Sequence, residues 1–266
     1  MFKMKLKRII RGFAIIVLLL AVSFAFFLQN NYIVPILMYH SVRPNSNAQD
    51  KLCLSPDTFD RQMRFLKQYH YNVISLEELG DLIRSGEKIP FKTVVLTFDD
   101  GYKDNYLYAF PVLKKYQLPA TIFVIVNEVG RQYDDRLSWE EIGLMQKSGL
   151  ITFGSHTVNH PWLPELKDEG ILANEIFASK RILENNQRIP VNCFSYPGGR
   201  FNEKIKSLVQ KAGYKLAVAT SPGAKYSRDD LFLLKRIRVS PRDANLFTFF
   251  VKCSGYYGFA KEKAVK

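Results

Sequence analysis

The sequence predicts an α/β barrel carried behind a single N-terminal transmembrane helix. Short apolar runs rich in β-branched residues, of which Thr93–Phe98 is the clearest, recur along the chain as strands buried in a parallel sheet do. Amphipathic stretches of helical length separate them, which makes right-handed βαβ units and, most economically, a closed barrel. The third observation is residues 12–28, an uncharged apolar stretch directly after a basic cluster. At ~1.5 Å per residue it reaches about 25 Å, enough for a thin bilayer.

Lys3, Lys5, Lys7, Arg8 and Arg11 form that cluster and stay cytoplasmic by the positive-inside rule, so the rest of the chain is expected outside the cytoplasm. A cleaved signal peptide is the alternative, since Ser23 and Ala25 have the small-residue spacing of a cleavage site. The apolar run continues past them through Phe26, Phe27 and Leu28, which favours an anchor. The 266 residues, 47% hydrophobic and 24% charged, suffice for one sizeable core, and no internal repeat interrupts them. Five positive charges of the net +13 fall in the N-terminal cluster, so the domain itself is moderately basic. No Lys/Arg stripe alternates with aromatics, which argues against nucleic acid as a partner. Cys53, Cys193 and Cys253 lack the short paired spacing of a zinc knuckle or redox pair and read as buried free thiols.

In chain order, Ile33–Met38 reads as the first strand, leading to Tyr39 and His40. Phe59, Met63, Phe65 and Leu66 have helical spacing behind a Ser55 or Asp57 cap. Asn72–Ile74 is a strand, Leu76–Ile83 a helix stopped near Gly86, and Thr93–Phe98 a strand. Helix Asn105–Tyr116, strand Ala120–Val126, helix Trp139–Lys147 ended by Gly149, and strand Ile151–Phe153 follow. Glu169–Glu184 is a long helix, Cys193–Tyr196 a strand, Glu203–Ala212 a helix, Lys215–Ala219 a strand, and Arg236–Val239 closes the series.

Chemistry in such barrels gathers where strands end. Thr93–Phe98 ends in Asp99-Asp100-Gly101, Ile151–Phe153 in the loop from Gly154 to His160, and Cys193–Tyr196 in Pro197-Gly198-Gly199. Asp-Asp-Gly alone is an ordinary turn, and an HxxxH pair also arises by chance. Yet His40, His156 and His160, three of the four histidines, all fall at expected strand ends, while His70 ends a helix. His156 and His160, facing one side of a helical turn, could bind a divalent metal with a carboxylate as third ligand, leaving open positions for water and substrate. The second aspartate is then free to act as base, and His40 is the remaining rim histidine.

These residues resemble the polysaccharide deacetylase family, also called the NodB-homology or carbohydrate esterase family 4 domain, from about Val34 to about Val239. Thr97-Phe98-Asp99-Asp100-Gly101 resembles its first motif, which implies Asp99 as general base and Asp100 as metal ligand. Ser155-His156-Thr157-Val158-Asn159-His160-Pro161 is similar to the second, implying both histidines as ligands. Phe194-Ser195-Tyr196-Pro197-Gly198-Gly199 is similar to the third, where the Tyr196 backbone N–H would help bind the oxyanion. Ile36-Leu37-Met38-Tyr39-His40 resembles the circularly permuted branch that includes poly-N-acetylglucosamine deacetylases, which implies His40 as general acid. Trp139, Leu163 and Lys235-Arg236-Ile237-Arg238-Val239 also fit that branch. The arginine that usually opens the third motif and steadies the base is missing before Phe194, so Arg236 or Arg200 is expected to replace it. Gly198 stands where Tyr is more common, which removes an aromatic wall. By this resemblance Tyr39, Pro197, Trp139 and Leu163 are expected to contact substrate.

The resemblance implies a distorted (β/α)7-type barrel and a hydrolase of linear amides acting on an N-acetylated polysaccharide. It further implies one divalent ion, zinc foremost, with cobalt, nickel or iron also suited. The chain then divides into a basic tail (1–11), an anchor (12–28), a catalytic domain (33–256) and a charged tail (257–266). An O-acetyl esterase, a non-catalytic glycan-binding module and another exported metal hydrolase are the competing readings.

Overall fold

In a computed structural model the described residues are 12–23, 32–44, 50–131, 135–220 and 230–257. The chain forms two compact units, residues 1–33 and 34–266. Within the first, residues 12–23 form a helix, α1, and the remainder of the expected 12–28 span lies outside the described residues. Among the described residues no helix is long and apolar enough to cross a membrane. The expected basic tail, residues 1–11, and the C-terminal tail beyond Tyr257 also lie outside the described residues.

In the second unit seven parallel strands close a ring: β1 (Ile36–Tyr39), β5 (Thr93–Phe98), β6 (Ala120–Val124), β7 (Ile151–Ser155), β8 (Cys193–Ser195), β9 (Leu216–Ala219) and β10 (Leu234–Arg238). The last of these pairs with β1, and β1 with β5, which completes the barrel. A further strand, β4 (Asn72–Ile74), pairs in parallel with the first half of β5. Two short strands absent from the sequence reading, β2 (Ser41–Val42) and β3 (Cys53–Leu54), pair with each other above the end of β1.

Side chains alternate in and out along each strand. Ile36, Val95, Phe123, Cys193, Leu216, Val218 and Leu234 form one buried cluster, the lumen, with Leu76 and Leu79 of α3 (Leu76–Ser85). The alternate residues Leu37, Tyr39, Leu96, Phe98 and Ile122 belong to the outer core, together with Phe59, Met63 and Leu66 of α2 (Pro56–Gln68). This phase decides which residues reach the upper end of the lumen: continuing upward, His40, Thr97, Asp99, Ser195 and Arg236 fall on the inward set.

Local sequence starts and stops the helices as expected. Ser55 caps α2 by accepting from the Thr58 N–H, and Ser75 does the same for Glu78 in α3, which ends at Gly86 with φ 71°. Ser138 and Glu141 form a capping box on α5 (Trp139–Lys147). Asp168 and Asn202 cap α6 (Glu169–Gln187) and α7 (Glu203–Lys211). The segment read as one helix from Asn105 opens with a wide π-turn over Asn105–Ala109 before α4 (Phe110–Tyr116). A last helix, α8 (Leu246–Cys253), escaped the sequence reading. All three cysteines are free and buried.

Candidate active site

β5 delivers Asp99 to the rim, where its N–H donates to the Tyr39 carbonyl at 3.0 Å. Asp100 and Gly101 then take left-handed φ values of 70° and 65° and swing the chain away, so adjacent carboxylates point to different partners. At Gly101 a Cβ would lie 2.8 Å from Val124 Cγ1, which the packing forbids.

Arg236, 1% exposed, grips Asp99 with both ends of its guanidinium: Nη1 to Oδ1 and Nη2 to Oδ2, each 2.6 Å. The same guanidinium donates to Ser195 Oγ at 2.9 Å and Thr97 Oγ1 at 3.3 Å. Burial alone would raise the Asp99 pKa. The charge of Arg236 and its bidentate bond outweigh it and hold the carboxyl well below the usual carboxylate range. The pairing with Arg236 therefore favours the ionised carboxylate.

Asp100 faces the two histidines. Its Oδ1 lies 3.6 Å from His156 Nε2 and 3.9 Å from His160 Nε2, and the two Nε2 atoms are 3.1 Å apart. His156 Nδ1 sits 2.8 Å from the Ser195 carbonyl, an acceptor only, so Nδ1 carries the proton and Nε2 turns its lone pair into the cluster. Two imidazole nitrogens and one carboxylate oxygen, all within 4.8 Å of one another, suit a divalent ion with positions left open. Burial, then the neighbouring His156, lowers the His160 pKa, which favours the neutral ligand form.

The histidines do not share a helical turn, as the spacing had suggested. They lie on a loop with left-handed φ at Thr157 (69°) and His160 (59°). That loop is held from α6: buried Glu175 accepts the Val158 and Asn159 N–H groups at 2.9 Å and the Asn159 side-chain amide at 2.6 Å. Asn127 grips Asn159 from the other side at 2.6 Å.

His40 continues the inward face of β1 and is buried, and among the described residues its Nδ1 has no hydrogen-bond partner. Burial lowers its pKa, while Asp99 and Asp100 pull the other way. Its carbonyl accepts from Asn105 Nδ2 at 2.8 Å. Asp104 accepts from the Val42 N–H at 3.0 Å and from the Ser41 hydroxyl. Sequence reasoning missed Asp104, Asn105, Ser195 and Glu175 as supports; only their proximity to the motif residues could have pointed to the first three.

Four expected roles need correction. Tyr39 points outward into the core, stacked on Phe98 with ring centroids 5.2 Å apart and bonded to Gln62, so it offers no surface to substrate. Leu163 is fully buried in the same core. The Tyr196 N–H is spent on the Val218 carbonyl at 3.1 Å, which completes the β8–β9 ladder and leaves it unavailable to an oxyanion. Arg200 does not support the base: it pairs with Glu165 at 3.2 Å and lies over the Trp162 ring. Pro197 opens the rim turn but is itself buried, and Trp139 packs half-buried against the core.

The closed parallel barrel thus carries on its carboxyl rim a carboxylate–arginine pair beside an Asp-His-His cluster that could hold a divalent ion. The chain belongs to the polysaccharide deacetylase family, whose model matches residues 86–217. It is 36% identical over 78% of its length, and 72% of the relative's, to YxkH of Bacillus subtilis (strain 168), which carries a provisional polysaccharide deacetylase name. The deacetylase PplD of Streptococcus pyogenes, solved with acetate, is 33% identical, with a TM-score of 0.74 over 81% of this chain and 96% of that one. IcaB from Ammonifex degensii shows 28% identity and a TM-score of 0.74, covering 83% and 97%. The poly-β-1,6-N-acetyl-D-glucosamine N-deacetylase of Staphylococcus aureus (strain MSSA476) is 28% identical over 70% of this chain and 68% of that protein. The chain is thus a hydrolase acting on amides.

Proposed function

We propose that this enzyme removes N-acetyl groups from N-acetylglucosamine residues of an extracellular or cell-wall polysaccharide, with one divalent metal, zinc foremost. The observation that carries the reading is the division of the rim: Asp100, His156 and His160 converge on one point, while Asp99, whose Oδ2 is 3.8 Å from His156 Nε2, is kept ionised by Arg236. When bound, the metal would polarise the acyl oxygen and acidify water. Asp99 accepts the proton of the attacking water, and Arg236 fixes its direction. The His156 tautomer set by Ser195 and the loop clamped by Glu175 keep the ligand nitrogens aimed. With Tyr196 committed to the sheet, Pro197 lacking an N–H, and the Gly199 and Arg200 N–H groups donating to the Tyr196 and Pro197 carbonyls at 2.8 and 3.2 Å, an oxyanion donor from this turn would have to be the Gly198 N–H.

His40 gives a proton to the departing nitrogen, which an amide requires and an activated ester does not. This requirement supports N- over O-deacetylation, as do the names of the relatives above. Acetate release from a panel of N-acetylated and O-acetylated polymers tests the reading. Release from the N-acetylated members is expected, with His40→Ala losing that activity far more than aryl acetate hydrolysis. Release from O-acetylated polymers alone, or equal small losses in the variant, would overturn the substrate or the role of His40.

A further inference from the structure

We propose that Trp162 is a stacking platform for a pyranose ring of the polymer, a subsite beside the metal cluster; this rests on the deacetylase reading above. Trp162 follows His160 by two residues and leaves 49% of its surface in solvent, an unusual exposure for an indole. It reaches across to the neighbouring loop: a Cβ on Gly198 would lie 3.6 Å from the indole Nε1 and 3.9 Å from Cδ1. That loop starts at Ser195, whose carbonyl fixes His156. The indole therefore spans the two loops that build the site, and the absence of a side chain at Gly198 leaves its Nε1 edge uncovered.

Its orientation is set before any ligand arrives. The Arg200 guanidinium carbon lies 4.0 Å from the ring centroid, and Arg200 is itself held by Glu165 at 3.2 Å. The Trp162 carbonyl accepts from the Glu165 N–H at 2.9 Å, and Leu163 anchors the backbone in the core. A rigid aromatic with one apolar body and one N–H is suited to the face of a sugar ring, whose axial C–H groups are apolar and whose hydroxyls accept hydrogen bonds. Because Trp162 follows His160 by two residues and meets the turn after Ser195, the sugar it takes would be a neighbour of the residue being deacetylated, so the platform matters only for oligomers.

The test compares wild type, Trp162→Ala and Trp162→Phe, using a β-linked N-acetylglucosamine pentamer and an aryl acetate. The chain has two tryptophans, so indole emission reports Trp162 against the half-buried Trp139. The pentamer should quench wild-type emission, and that quench should vanish in Trp162→Ala. The KM for the pentamer should rise roughly five- to tenfold with kcat nearly unchanged, with partial recovery in Trp162→Phe. The ratio of pentamer to aryl acetate kcat/KM should fall by the same factor. An unaltered KM, a quench that persists in Trp162→Ala, or a loss of bound metal that accounts for the whole effect would overturn the platform. If wild type releases no acetate from the pentamer, the deacetylase reading fails while the quench titration still decides the platform.

Discussion

Asp99 meets Arg236 through both carboxylate oxygens at 2.6 Å, whereas Asp100, one residue later, turns to His156 and His160. The left-handed φ of Asp100 is what separates them, and it gives adjacent identical side chains different chemistry. Asp99→Asn should keep the metal and lose ~10²- to 10⁴-fold in rate, as removal of a general base does. It should also lower the melting temperature, because it leaves the Arg236 charge buried without its counter-ion, a defect of the order of 3 kcal/mol. Asp100→Asn should do the reverse, weakening metal binding with little loss of apo-protein stability, since no arginine depends on it. Metal titration and thermal unfolding of both apo-variants check this, and equal metal loss in the two would show the pair wrongly divided.

At the scale of elements, the strand-end motifs were legible in the sequence because a parallel barrel collects strand ends on one rim, whatever the loops do. What was not legible follows from alternation. Tyr39 adjoins His40 in sequence, but a strand sends neighbours to opposite faces, so one enters the core and the other the lumen. The same rule carries Arg236 inward to Asp99, whereas Arg200, on the turn after β8, goes to the surface. Glu175 was hidden for another reason: it reads as one polar position on a long helix, and only the packing of α6 against the histidine loop reveals three N–H donors aimed at it. A carboxylate that gathers these donors stabilises the left-handed turns at Thr157 and His160. Glu175→Gln replaces one acceptor oxygen by a donor facing N–H groups. Metal affinity, measured by chelator competition, should fall about 10- to 100-fold, the usual effect of disturbing an outer partner, while helix content is retained. Unchanged affinity would mean that the loop holds its shape without this clamp.

For the whole molecule, the barrel explains how residues from His40 to Arg236 form one site, and the N-terminal segment bears on where that site works. Residues 12–28 carry no charge, residues 12–23 are helical, and Phe13, Leu18, Leu19 and Leu20 on that helix are more than half exposed. Apolar side chains left in water at about 25 cal/mol per Å² are a standing cost that a bilayer removes. The five positive charges that precede them would hold that end on the cytoplasmic side. We therefore expect the full chain to sediment with membranes, to resist release by a high-salt wash, and to be freed by detergent. Salt acts on electrostatic adhesion and not on burial of apolar surface, so the wash separates an anchor from a basic protein merely attracted to anionic lipid. The catalytic domain should be open to protease added outside intact cells. Release by salt, or a mature N-terminus near Phe26 in the purified protein, would replace the anchor with a peripheral or secreted enzyme and leave the chemistry of the rim as described.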